Sequence, residues 1–311
     1  MIEIVRYTSD FEEDWNKFLA HSKIDTFLFN RSFMDYHSDR FIDKSFLFFR
    51  KGKLEAILPG NINGQIYYSH QGLTYGGIVP SYKLTTNDIL SIFDIFLKTI
   101  TKDGLKELIY KPTPHIYHKY PSEEDVYALF KHKATKIGSN LSSTIYRKNK
   151  MPFIESRKSG IRKAKREGVE ILEDIGFHSF WDVLEQNLTA KHGRKPVHSE
   201  QEIQKLKNNF NQNIKLYTAV HNNMVLGGVL LFIMNQVCHV QYISANEDGK
   251  NLGVIDLLFD YLINSKYQDI DCFDFGQSTE NLGLFLNESL IFQKEGFGAR
   301  GIVYDIYRIE L

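Results

Sequence analysis

Cysteine is nearly absent from this 311-residue chain: Cys238 and Cys272 are the two present, each inside an apolar, strand-like run. Two such thiols exclude a disulfide framework and a CxxC-type zinc site, and they read as buried, reduced side chains. Charge of one sign is lacking too, since 38 basic residues face 38 acidic ones, so this is no nucleic-acid-coating protein and any basic site is local. No apolar run approaches the ~20 residues of a membrane span, and the start MIEIVRYTSDFEED lacks a basic stretch followed by an apolar one. A cytoplasmic protein is expected, with no membrane span and no DNA partner. Walker, Rossmann and GxSxG signatures are missing, which removes NTP hydrolysis, hydride transfer and serine hydrolysis. The eleven histidines are scattered without HExxH spacing or a carboxylate cluster, so no metal is expected.

Aromatic residues are plentiful, with 23 Phe and 17 Tyr, which suits large cores and clefts. The length predicts two domains of about 150 residues each. In the first half, periodicity predicts strands over 2–7, 46–49, 54–58, 65–68, 106–110 and 134–146. Helices are expected from Asp10 through Leu19, over 30–41 (Phe33, Met34, His37 and Phe41 on one side), over 86–102 and over 123–132. The stretch SHQGLTYGG, residues 69–77, is too glycine-rich for a strand interior, so backbone or ligand approaches closely there. Residues 147–168 then hold nine Lys or Arg and only two Glu, which marks a junction between domains 1–150 and 151–311.

The second half predicts a helix from about Ser156, another over 177–191, and a capping box at Ser199 and Glu202 opening a helix through Leu206. Strands follow over 214–220, 224–233 and 237–244, then a helix over 252–263 and a strand over 270–275. Leu282, Leu286 and Leu290, at spacing four, predict a helical face that continues to Lys294. A final strand runs over 300–309. Residues 46–146 and 216–309 share one order of strands, turns and helices, which reads as an internal duplication. Hairpins mixed with β-α-β steps predict an α/β fold with a mixed sheet and helices on its faces.

That order, doubled within one chain, resembles the Gcn5-related N-acetyltransferase (GNAT) fold of the Fem-type aminoacyltransferases and their acyltransferase relatives. The basic helix Ile161-Arg162-Lys163-Ala164-Lys165-Arg166-Glu167-Gly168-Val169, the tip Phe273-Asp274-Phe275-Gly276 and the run Phe292-Gln293-Lys294-Glu295-Gly296-Phe297-Gly298 carry the resemblance, which covers nearly the whole chain. It implies two tandem GNAT-like domains and transfer of an acyl group from acyl-CoA, such as acetyl-CoA, to an amine of a small or cell-envelope-related acceptor. The alternatives are aminoacyl transfer from aminoacyl-tRNA, and a non-catalytic module that binds an anionic ligand. The usual pyrophosphate signature is replaced by Asn246-Glu247-Asp248-Gly249-Lys250-Asn251-Leu252-Gly253. Gly249, Lys250 and Gly253 are the cofactor candidates, through backbone N–H groups at a helix start, while Glu247 and Asp248 oppose phosphate.

Acyl transfer to an amine needs an oxyanion stabiliser, a base and a proton donor for the leaving group. Lys294 is the candidate stabiliser; without a ligand it is a helix-end lysine that snorkels. His198, which a cap at Ser199 does not require, is the candidate base. A strand tip with a polar loop delivers side chains to a sheet edge, which places Asp274 and Ser278 at the site. His239 and Gln241 share one face of their strand; Gln241 is taken as a substrate contact and His239 as an ordinary satisfied histidine. His70 and Tyr75 are substrate contacts in the glycine-rich loop. Arg162, Lys163, Lys165 and Arg166 suit a phosphate or form a solvated helix face.

Overall fold

The structure is a computed structural model describing residues 2–311, and it forms two compact units. Unit 1 takes the chain up to Leu141 with Thr279–Phe285 and Val303–Leu311; unit 2 takes Ser142–Ser278 and Leu286–Ile302. Both are discontinuous in sequence. Among the described residues no helix is long and apolar enough to cross a membrane, and no group of three or more His, Cys, Asp or Glu is placed to hold a metal ion.

In unit 1, β1 (Ile2–Arg6) leads through α1 (Glu12–Ala20) and α2 (Arg31–Met34) to β2 (Ile42–Asp43), β3 (Phe46–Arg50) and β4 (Lys53–Leu58). A hairpin of β5 (Asn61–Asn63) and β6 (Ile66–Tyr68) follows, then β7 (Val79–Pro80), α3 (Thr86–Lys102), β8 (Glu107–Tyr110), α4 (Glu124–Lys131) and the first part of β9 (Thr135–Tyr146). One sheet has the order β1-β3-β4-β7. Elsewhere β6 runs parallel to β8, and β8 antiparallel to the carboxyl-terminal strand, Arg300–Glu310. Thr85 and Asp88 cap α3 reciprocally, and its Ile89, Ile92, Phe93, Phe96 and Ile100 recur at spacings of three and four. That stripe is buried against Phe46, Phe48, Leu58, Tyr67 and Leu108, and burial of each such side chain is worth about 1.5–3 kcal/mol.

The expected helix over 30–41 is instead α2 and a 3-10 turn at Asp35–His37, with Phe41 beyond both. Ser38, Asp39 and Arg40 are exposed, so nothing apolar continues the helical face. In the glycine-rich loop it is backbone that approaches. A Cβ on Gly76 would lie 1.7 Å from the Ser69 carbonyl oxygen, so no other residue fits.

In unit 2, the end of β9 is followed by α5 (Glu155–Arg166), β10 (Glu170–Glu173), α6 (His178–His192), α7 (Glu200–Asn209), β11 (Ile214–His221), β12 (Met224–Ile233) and β13 (Val237–Ala245). Then come α8 (Glu247–Leu252), α9 (Val254–Tyr261) and β14 (Cys272–Gln277). The strand order is β10-β11-β12-β13-β14-β9, and only β13 and β14 are parallel neighbours. Ala164 of α5, Leu257, Leu258 and Phe259 of α9, and Phe273 and Phe275 of β14 belong to one core. The helix expected over 252–263 forms as α9 and a π-turn at Leu262–Lys266, and Gly253, with φ of +77°, separates it from α8. A Cβ there would lie 2.7 Å from the Gly160 carbonyl oxygen, so the break lets α5 and α9 touch backbone to backbone.

Of the leucine stripe ahead of Lys294, only Leu290 is helical. Leu282 sits in a 3-10 turn with φ of +56°, and Leu286 in the short strand β16 (Phe285–Leu286), paired with β15 (Thr279–Glu280). Both leucines are exposed. The helix α10 (Glu288–Glu295) starts later, where Asn287 accepts from the Leu290 amide at 3.0 Å.

Candidate active site

The parallel pairing of β13 and β14 runs Val237 to Cys272, Cys238 to Phe273 and His239 to Asp274, and there it ends. Against β12, Val240 pairs with Leu231 and Tyr242 with Leu230, leaving Gln241 as the extra residue of a bulge that re-aims the strand. Strand alternation sends Cys238 and Val240 into the core and His239 to the other face.

His239 Nδ1 lies 2.7 Å from Asp274 Oδ2. Asp274 has no exposed surface, and it also accepts from Ser142 Oγ at 2.5 Å and Thr144 Oγ1 at 2.8 Å, both on β9. A carboxylate so placed accepts from Nδ1–H, which fixes the ring's orientation and makes Nε2 its basic nitrogen. Gly276, with φ of +73°, follows Asp274 by two residues, and a Cβ on it would lie 3.3 Å from His239 Cε1.

The other side of Gly276 is taken by Lys294. Its Nζ donates to the carbonyl oxygens of Gly276 and Gln277, each at 2.8 Å. Lys294 is the one buried residue of α10, the reverse of an ordinary amphipathic helix. Burial pushes its pKa down to about 8, and the nearby Asp274 charge opposes part of that shift. An ammonium has three donors, so two carbonyl acceptors leave one N–H for a ligand. Ser278, 2% exposed, adds a buried Oγ without a hydrogen-bond partner.

His239, Asp274, Lys294 and Ser278 thus occupy one strand end in unit 2. The other expected site residues are placed differently. His198 is buried and tied to Tyr242 of β13, its Nδ1 2.7 Å from the hydroxyl. Gln241 is the partly buried bulge residue. Tyr75 is part of the unit 1 interior, its hydroxyl 3.0 Å from Thr26 Oγ1 and its ring against Phe29 and Tyr117. His70, also in unit 1, is buried beside His37. On α5, Arg162 pairs with Glu155, Lys165 with Asp260 and Arg166 with Glu167, so three of the four basic side chains already meet carboxylates; Lys163 is exposed.

A cleft of about 620 Å³ lies in unit 2, lined by Leu184 and Asn187 of α6, Ile243 and Ser244 of β13, and Leu290 and Gln293 of α10, among others. Lys250 reaches its wall while paired with Glu247. The α8 start does not fit a diphosphate well. The Gly249 amide already donates to Asn246 Oδ1 at 2.8 Å, and Glu247 and Asp248 stand in the first turn. The absent side chains of Gly249 and Gly253 leave room for the Leu226 carbonyl and for α5, respectively. A sequence reading can find Lys294 and Asp274 as polar residues at element ends. His239 is missed because its partner is 35 residues away on a parallel strand.

Residues 155–282 match the family model described as an acetyltransferase (GNAT) domain. No curated protein matches the sequence. Among solved structures, FemX has a TM-score of 0.70 at 9% identity, over 99% of this chain and 97% of that one. The C-terminal domain of a putative lysylphosphatidylglycerol synthetase from Agrobacterium fabrum has a TM-score of 0.62 at 10% identity, over 97% and 92%. A tandem GNAT protein from the clavulanic acid biosynthesis pathway has 0.55 at 10%, over 100% and 98%. At such identities the likeness is one of fold.

Proposed function

We propose that this chain, which has the tandem GNAT fold and carries a GNAT domain over residues 155–282, is an N-acyltransferase whose chemistry occurs where β13 and β14 cease to pair. The observation that carries the reading is the buried Lys294 ammonium beside the Asp274-held His239. In the reaction an amine attacks the acyl carbonyl and loses a proton to His239 Nε2. The carbonyl oxygen gains negative charge, which the remaining N–H of Lys294 stabilises, and the leaving thiolate or alkoxide departs as the carbonyl reforms. We assign the base to His239 rather than His198 because the Asp274 carboxylate orients its ring and fixes its tautomer. We also read 1–150 and 151–311 as the two copies of an ancestral duplication.

Acyl-CoA is the donor that a GNAT domain implies, with its chain in the unit 2 cleft and a small or cell-envelope amine as acceptor. The capped Gly249 amide and the acidic first turn of α8 favour a second reading, in which the donor is an aminoacyl ester on tRNA. The fold shared with FemX and with a lysylphosphatidylglycerol synthetase domain supports that alternative. The test offers radiolabelled acyl-CoAs and charged tRNAs in parallel to the full chain with a panel of primary amines. Amide product from either donor class supports acyl transfer, and the productive class identifies the donor. Absence of amide from both, with specific binding of either donor intact, would reduce the chain to a binding module.

A further inference from the structure

Unit 1 contains a second buried polar group that the proposed chemistry does not use. Residues 69–77 are clamped on several sides: Asn61 Oδ1 accepts from the Gln71 amide at 2.8 Å, Ser69 Oγ from the Lys111 amide at 2.8 Å, and Thr113 Oγ1 donates to the Gly76 carbonyl at 2.7 Å. Within this rigid loop His70 is held at φ of +74°, a left-handed conformation that a bulky side chain adopts only when its surroundings enforce it. The residue is 3% exposed, and its Nδ1 has no hydrogen-bond partner.

The side chains that act electrostatically on His70 are basic ones. His37 is stacked on it with ring centroids 5.5 Å apart, and the groups that act on its titration are His37, Lys111 and Arg31. Arg31 is neutralised by Asp35 and Asp43. Lys111 donates to the Leu73 carbonyl, and among the described residues no carboxylate bonds to Lys111 or His70. Desolvation draws the Lys111 pKa down to about 8 and that of His70 well below the usual imidazole range. Lys111 is partly buried, and a desolvated cation without a counter-charge is stabilised by an anion. Gly72 and Thr74 of the same loop are exposed, so the group lies close under the surface.

We propose that His70 and Lys111 bind a small oxyanion, the carboxylate or phosphate group of a ligand, at the ends of the parallel strands β6 and β8. The site lies within unit 1 and does not rest on the reading of unit 2. Isothermal titration of the full chain at pH 8 with inorganic phosphate, and separately with acetate, tests it. Saturable binding of at least one anion is expected, with proton uptake seen as heats that change with the buffer's ionisation enthalpy. Acetate alone would mark a carboxylate site, and phosphate alone a phosphate site. Lys111→Met and His70→Asn, the latter chosen because Asn tolerates positive φ, should each weaken binding about tenfold or more, and Lys111→Arg should restore part of it. Melting temperatures of these variants report whether they fold. No saturable heat with either anion, or heats unaltered in both folded variants, would overturn the proposal.

Discussion

Each unit has a pair of parallel strands, β6 with β8 and β13 with β14, and the two pairs end differently. In unit 1, pairing continues past β6 and β8: the Ser69 amide donates to the Ile109 carbonyl at 3.0 Å, and the glycine-rich loop returns to set Gly76 beside Pro112. In unit 2, pairing of β13 and β14 stops at His239 and Asp274, and the β13 residues beyond line a cleft. The first end is clamped by backbone; at the second an imidazole, a fully buried carboxylate and a buried lysine meet beside Gly276. The same topological step thus ends in a backbone-clamped loop beside His70 and Lys111 in one unit and in the cluster of His239, Asp274 and Lys294 in the other.

The sharpest way to break this comparison is His239→Gln. Loss of a general base typically costs about 100- to 10,000-fold in rate, so transfer should fall by that order while the melting temperature changes little. Normal transfer by the folded variant would assign the base elsewhere. Lys294→Met preserves the stem and removes the charge; about 100- to 1000-fold should be lost from kcat, with donor binding retained on titration.

At the clamped end the Tyr110 hydrogen bonds should respond through stability alone. The Tyr110 hydroxyl donates to buried Asp125 at 2.7 Å and accepts from the Ile78 amide at 2.7 Å. Tyr110→Phe strands both partners and should cost about 1–3 kcal/mol, measured by denaturant unfolding, with transfer rates unchanged. A slowed rate in the folded variant would show that the clamped end takes part in turnover. Where β13 and β14 cease to pair, Gly276→Ala places a Cβ in the left-handed region and against His239, for an expected loss of about 1–2 kcal/mol. Its rate should fall as well, because the displaced ring is the proposed base; unfolding curves and turnover on one preparation check both.

Much of the frame was legible in the sequence because it is local. The α3 stripe and the Ser199–Glu202 capping box depend on residues three or four apart, and both form as their spacing implies. The mixed sheet and the tandem order were likewise readable from the succession of turns and periods. The site was less so. His239 looked ordinary because the parallel register that sets it against Asp274 is a long-range property. Lys294 was singled out through a leucine stripe of which only Leu290 is helical; α10 begins only at Glu288, and the contacts of Lys294 are to backbone carbonyls that no sequence pattern displays. The glycines of the α8 segment looked like phosphate ligands, yet packing against Leu226 and Gly160 accounts for them.

The most direct test of the account is the pH dependence of kcat for the wild type and Lys294→Arg, using whichever donor proves productive. Lys294 has a folded-state pKa of about 8, below its ordinary value, so its ammonium is present below that pH and lost above it. If the charge stabilises the oxyanion, wild-type kcat declines as pH rises through about 8. A guanidinium does not titrate in that range, so the arginine variant, even if slower overall, should lack that decline. The same decline in both proteins, or a wild-type rate that climbs through this region, would contradict a cationic Lys294 at the reacting carbonyl.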